Sequence, residues 1–240
     1  MLLFFVLATV VMTWPMAPQV ASALPAHHDV LLNAWIIAWD VHALLHQPLH
    51  LFDANQFYPH HNTLAYSENQ LGSALLALPI ILLTGEPLIA VNLLLLFSFA
   101  ALGYGTYLLA YHHLRSVPGA LAAGFIFAFA PFRFAHLPHV QLITIQWLPF
   151  TFLFLARYLD DRRRRDLAWF GVFYFLQMLT TMYVGAFMSV TIIAYLVLIA
   201  LARRRQAPAT LRSSGATSLR STRLRVYVRP VVAMHACVVV

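Results

Sequence analysis

Between residues 71 and 202 the chain carries six apolar runs, at 71–84, 88–111, 118–130, 141–159, 167–183 and 185–202, with only short polar breaks between them. A run of about 18 residues or more crosses roughly 30 Å of hydrocarbon as α-helix, and a helix satisfies every backbone hydrogen bond inside the segment. No other feature limits the fold so sharply. With 61% hydrophobic and 10% charged residues, the chain has too little polar surface to cover a soluble core. The expected fold is all-α, a polytopic transmembrane helix bundle of about six spans.

All of the lysine-plus-arginine charge is arginine, and the formal net charge is +7. The arginines gather at Arg115, at residues 162–165 and at residues 203–205, beside the ends of apolar runs. Such clusters report membrane topology before they report nucleic acid, so membrane lipid is an expected partner and nucleic acid is not. The run 71–84 decides the arrangement, because it is only about 14 residues long and contains Pro79. If it crossed the membrane from an outer loop, all three clusters would lie outside. If it dips half-way and returns, all three lie inside, and the cytoplasmic bias of arginine selects this half-membrane helix. Residues 25–70, the turn near His136 and the turn near Tyr183 then share the outer face. The chain reads as a multi-pass membrane protein whose polar island faces the extracytoplasmic side.

Residues 2–14 are apolar but lack a basic start, and Pro15 and Pro18 precede Ala21-Ser22-Ala23. A cleaved signal and a first transmembrane helix of about 20 residues compete here; the prolines and the missing charge favour the helix. The first outer loop then covers 21–87. Within it, Leu32, Trp35, Ile36, Trp39 and Ala43 recur at helical spacing, with Asn33, Asp40 and His42 on the remaining face. The pattern predicts an amphipathic helix over 29–46 on the membrane surface, anchored by both tryptophans and stopped by Pro48. Residues 51–66 have no period and read as loop. The stretch 167–202 lies between two arginine clusters, which calls for a hairpin turning near residues 180–185. Gly103 and Gly105 suit close helix packing. Residues 1–202 thus form one membrane domain, and 203–240 a basic cytoplasmic tail, disordered or foreign to that domain. The single cysteine, Cys237, provides neither a disulfide framework nor a thiolate metal site.

Residues 25–70 hold Asp29, Asp40, Asp53 and Glu68 together with His27, His28, His42, His46, His50, His60 and His61. In so apolar a chain, chemistry concentrates there. Asp29, at the membrane edge, can act as general base towards a hydroxyl or bind a divalent cation, and it equally suits the N-cap of the helix that follows. Arg133 stands apart from the inner clusters in a second polar island, 131–141, and its planar fork suits a phosphate; snorkelling to headgroups or pairing with a loop carboxylate competes with that role. Glu68 with His60, His61, His136 or His139 supplies donors for zinc or another transition metal, although the adjacent His60-His61 pair matches no metal motif. Tyr183, beside Thr180 and Thr181, is a substrate contact or an ordinary interfacial tyrosine. There is no Gly-rich phosphate loop, nucleophile elbow or helical zinc motif.

A further pattern runs through Trp14-Pro15, Asp29, Asn55-Gln56-Phe57-Tyr58-Pro59, the run 71–84 and Asn92. It continues in Phe129-Ala130-Pro131-Phe132-Arg133-Phe134, His139-Val140-Gln141-Leu142 and Gln146-Trp147-Leu148-Pro149. Over residues 1–202 this order resembles the N-terminal half of a bacterial branch of GT-C type membrane glycosyltransferases. The resemblance implies inverting transfer of a sugar from a polyprenyl-phosphate donor to an acceptor at the outer face, with Asp29 as the catalytic aspartate. Arg133, His136, His139, Gln141, Tyr183, Asn55 and Tyr58 are the candidate substrate contacts, and Glu68, His60 and His61 the candidate ligands of a divalent metal. Family members continue through further spans and an outer soluble domain, so a truncated copy is the expectation. An inactive remnant or scaffold and a lipid or solute transporter are the alternatives. The scarcity of ionisable residues within the spans speaks against the transporter.

Overall fold

Proline and glycine set where this chain starts and stops its helices. In the computed structural model, which describes residues 1–25 and 29–213, all regular structure among the described residues is helical. His27 and His28 lie outside the described residues. Helix α1 (Leu2–Met12) ends well short of the span of about 20 residues expected at the N-terminus. Pro15 has no amide to donate and cannot continue the ladder, so residues 13–22 form turns instead. Helix α2 (Asp29–His46) and helix α3 (Leu71–Thr84) keep the bounds read from sequence. The first halts before Pro48 and the second at Gly85, whose φ of 72° is the left-handed conformation that glycine adopts without strain.

The longest helix wholly within the first compact unit, α4 (Pro87–Leu114), is followed by α5 (Val117–Ala128), the short α6 (Pro131–Ala135) and α7 (Val140–Ile143), and then α8 (Leu148–Asp161). Helices α9 (Arg164–Thr180) and α10 (Met182–Ser213) meet at Thr181, inside the expected hairpin turn. Four segments are long and apolar enough to cross a membrane: Pro87–Leu114, Val117–Ala135, Val140–Asp161 and Met182–Ala202. The sequence led us to expect about six. Helix α1 is too short, and α9, 17 residues long, spends its first turn on Arg164, Arg165 and Asp166; α3, expected only to dip half-way, has 14 residues.

Residues 1–192 form one compact unit, and residues 193–240 a second. In the described part of the second, α10 carries an exposed apolar surface at Ile193, Val197, Leu198 and Leu201. The helix continues to Ser213, past the boundary expected for an unstructured tail; residues 214–240 lie outside the described residues. In the first unit, Phe5 of α1 fills the space over Gly103 and Gly124. A Cβ on Gly124 would stand 2.7 Å from the Phe5 ring and 2.6 Å from the Gly103 carbonyl, so the close approach of α4 and α5 needs a hydrogen there.

The main core joins Val30, Ala34, Ile37 and Val41 of α2 to Ala74 and Ala77 of α3 and to Val91, Leu94, Leu95 and Phe99 of α4. Helix α2 is therefore packed into the bundle rather than laid on its surface, and the orientation expected for it is corrected. Its polar residues Asn33 and Asp40 are buried, whereas Leu31 and Leu32 are about half exposed. Trp35 and Trp39 cover Ile36, Ala54 and Leu64, and the Trp39 indole donates to the Leu51 carbonyl at 3.0 Å. Both tryptophans thus fasten the loop that follows α2.

Candidate functional site

Four short polar contacts tie together elements that are remote in sequence. Asp29 opens α2 and His139 precedes α7; Asp29 Oδ2 lies 3.1 Å from His139 Nε2, with the two side chains 51% and 40% exposed. Two residues on from His139, the Gln141 carbonyl accepts a hydrogen bond from Thr181 Oγ1 at 3.1 Å. At the start of α10 the Tyr183 amide donates to Glu68 Oε1 at 3.2 Å. Just before α3, Gln70 Nε2 donates to Asn33 Oδ1, and Asn33 Nδ2 returns to the Asp29 carbonyl at 2.6 Å. Helix α2, α7, the α9–α10 turn and the start of α3 are thereby joined in a ring. Neutral hydrogen bonds such as those of Gln70, Asn33 and Thr181 stabilise by about 1 kcal/mol each, and the half-exposed Asp29–His139 contact by less.

This ring collects Asp29, His139, Gln141, Glu68 and Tyr183 from the sequence candidates. His136 adjoins it: its ring stacks on Phe132 with centroids 4.0 Å apart and stands 5.7 Å from the His139 ring. Asn55 and Tyr58 sit on the loop after α2, where Tyr58 is 96% exposed. That loop has its own polar centre. Asp53 accepts from the Asn62 amide at 2.7 Å and faces His50 at 3.0 Å and His61 at 3.5 Å, which together hold its carboxyl below the usual range.

The proposed metal ligands do not assemble. His61 turns to Asp53, and Glu68 points to the first turn of α10, where exposed amides favour an anion. Among the described residues no three His, Cys, Asp or Glu side chains come together in a way that would hold a metal ion. Burial raises the Glu68 pKa, opposed by hydrogen bonds from the Tyr183 and Met182 amides.

Arg133 is turned inward. Its Nη1 donates to the Ala128 carbonyl at 2.9 Å, and its Nη2 donates to the Ile143 carbonyl at 2.8 Å and to Ser98 Oγ at 3.2 Å. The guanidinium carbon lies 4.0 Å over the Phe99 ring, and the residue is 3% exposed. The fork expected to meet a phosphate instead closes the ends of α5 and α7 against α4. No known family model matches this chain, and no curated protein or solved structure does either.

Sequence reasoning placed Asn33 and Asp40 on an outward face, named Thr181 only as a neighbour of Tyr183, and gave Gln70 no role of its own. Asp40 is fully buried, with Asn69 Nδ2 at 3.5 Å from Oδ1, and desolvation pushes its carboxyl up to about 7 against an opposing hydrogen bond from the Gln70 amide. One signal was available. Asn33 and Asp40 are two turns apart on a single helical face, and a polar stripe in an otherwise apolar chain finds partners inside a bundle more readily than on lipid.

Proposed function

We propose that this chain is a GT-C type membrane glycosyltransferase, moving a sugar from a polyprenyl-phosphate donor to an acceptor hydroxyl at the extracytoplasmic face of the bacterial inner membrane. The arginine bias supports that orientation, a reading that takes α3 as dipping half-way into the bilayer and α9 with α10 as a hairpin across it. The single observation that carries the chemistry is the Asp29–His139 pair. An accessible carboxylate at the mouth of an apolar bundle, steadied by an imidazole, has the geometry of a general base.

In this reading the acceptor O–H gives its proton to the Asp29 carboxylate as its oxygen attacks the anomeric carbon. The bond from that carbon to the phosphate oxygen breaks on the opposite face, and the polyprenyl phosphate leaves with the bonding electrons, which inverts the anomeric centre. With Arg133 spent on backbone carbonyls, His139 positions the Asp29 carboxylate, and His136, whose ring stands 5.7 Å from that of His139, is the proposed donor to the leaving phosphate. Tyr183 and Gln141, on the same ring, are the proposed sugar contacts; Asn55 and Tyr58 are proposed to reach the acceptor from the exposed loop.

Membranes bearing the chain are assayed with radiolabelled polyprenyl-phosphate sugars, and Asp29→Asn is expected to reduce transfer by about 100-fold or more. Unchanged transfer by Asp29→Asn removes that residue from the mechanism. Absence of transfer by both proteins replaces the enzyme reading with that of a scaffold.

A further inference from the structure

At the arginine-rich end of the α8–α9 hairpin a cleft is lined by Phe154, Arg157, Arg163, Arg165, Asp166 and Trp169, with Phe173 deeper along α9. We propose that this cleft holds the anionic headgroup of a membrane phospholipid. The site is separate from Asp29 and His139, and the inference is independent of the transfer reaction.

Charge makes the first part of the case. Three guanidiniums face one carboxylate, and that carboxylate is already engaged: Asp166 is buried and lies 3.7 Å from Arg157 Nε. Arg163 makes only an exposed contact, 3.6 Å from Asp161. Among the described residues Arg165 has no ion-pair partner. Arg165 therefore remains for a phosphate, and Arg163, held only by a solvent-exposed carboxylate, can join it; guanidiniums meet phosphate oxygens in bidentate fashion.

The wall of the cleft makes the second part. Phe154, Trp169 and Phe173 stack on one another, with Phe154 and Phe173 centroids 5.5 Å apart at 10° and Trp169 and Phe173 centroids 5.8 Å apart at 29°. The Arg157 guanidinium carbon lies 5.5 Å from the centre of the Phe154 ring. The aromatic layer leads from the arginines along helices of an apolar bundle, and Trp169 is 40% exposed. A free phosphate has no use for that wall, whereas an acyl chain descending from a headgroup lies along it. Helix α8 ends a segment long enough to cross the membrane, which puts the arginines at the depth of headgroups.

The test uses the full chain, delipidated in detergent, with thermal unfolding followed as phosphatidylglycerol, phosphatidylcholine or inorganic phosphate is added. Arg163→Gln with Arg165→Gln leaves the Arg157–Asp166 pair intact. Arg115→Gln with Arg162→Gln removes the same charge elsewhere. Phosphatidylglycerol is expected to stabilise the parent and the second double variant alike, and to bind the first about tenfold more weakly. Equal losses in both double variants, no shift in the parent, or an equal shift with inorganic phosphate overturns the proposal. A second readout needs neither double variant. Brominated phosphatidylglycerol should quench tryptophan fluorescence more than brominated phosphatidylcholine does, and Trp169→Phe should abolish the difference; a difference that survives Trp169→Phe also overturns it.

Discussion

Asp29 and His139 stand 3.1 Å apart, a carboxylate at the first residue of α2 against an imidazole at the cap of α7. Neither side chain is sealed from solvent, so the pair contributes little to stability and is open to chemistry. It also lies on a closed polar ring, which limits how far either partner can drift.

If the two residues act as a unit, their losses do not add. His139→Gln should lower the initial rate of sugar transfer by about 10- to 100-fold, and the double variant with Asp29→Asn should be no slower than Asp29→Asn alone. Rates measured in membranes at saturating donor decide this. A double variant slower by the product of the two single effects would mean that the residues work separately.

Asp40 makes stability depend on pH. In the folded chain it holds its proton up to about pH 7, whereas an exposed aspartate carboxyl loses its proton near pH 3.8. Between those values unfolding releases a proton, so stability falls as pH rises and levels off above the folded pKa. Asp40→Asn cannot titrate. Thermal unfolding in detergent should find it close to the parent near pH 4 and several degrees more stable near pH 8. Parallel curves for the two proteins across that range would refute the assignment.

Arg133 should act on stability rather than on donor binding. A lysine cannot place donors on the Ala128 and Ile143 carbonyls together, and Arg133→Lys should cost about 3 kcal/mol through unpaired buried groups. Chemical unfolding measures the loss. The KM for the lipid donor, taken at a temperature where the variant stays folded, should be unchanged; a KM raised tenfold would show that the guanidinium reaches the phosphate.

The orientation can be tested at two exposed serines. With Cys237 replaced by alanine, Ser67→Cys should react with an impermeant thiol reagent in intact cells, and Ser116→Cys only after permeabilisation. The opposite pattern would invert the bundle and move Asp29 to the cytoplasm.

Much of this fold is readable locally. Helix α2 begins at an aspartate and stops before Pro48, α3 lies between Gln70 and Gly85, and the α9–α10 break falls at Thr181 beside a second threonine. Each boundary follows from the residues at that point, because capping and proline geometry act over one turn. The N-terminal helix was harder to bound. An apolar run suggested a span, yet Pro15 ended the ladder sooner than hydropathy implied.

The sequence by itself determined an all-helical, strongly apolar chain, the positions of its main helices, and the polar island from which Asp29 emerges. Only the tertiary structure decided which side of α2 turns inward, what Arg133 holds, and that Asp29, Gln141, Glu68 and Tyr183 belong to one ring. The reason is physical. Periodicity identifies the two faces of a helix, but which face is buried depends on donors and acceptors far along the chain. Asn33 and Asp40 face inward because Asn69 and Gln70 are there to meet them.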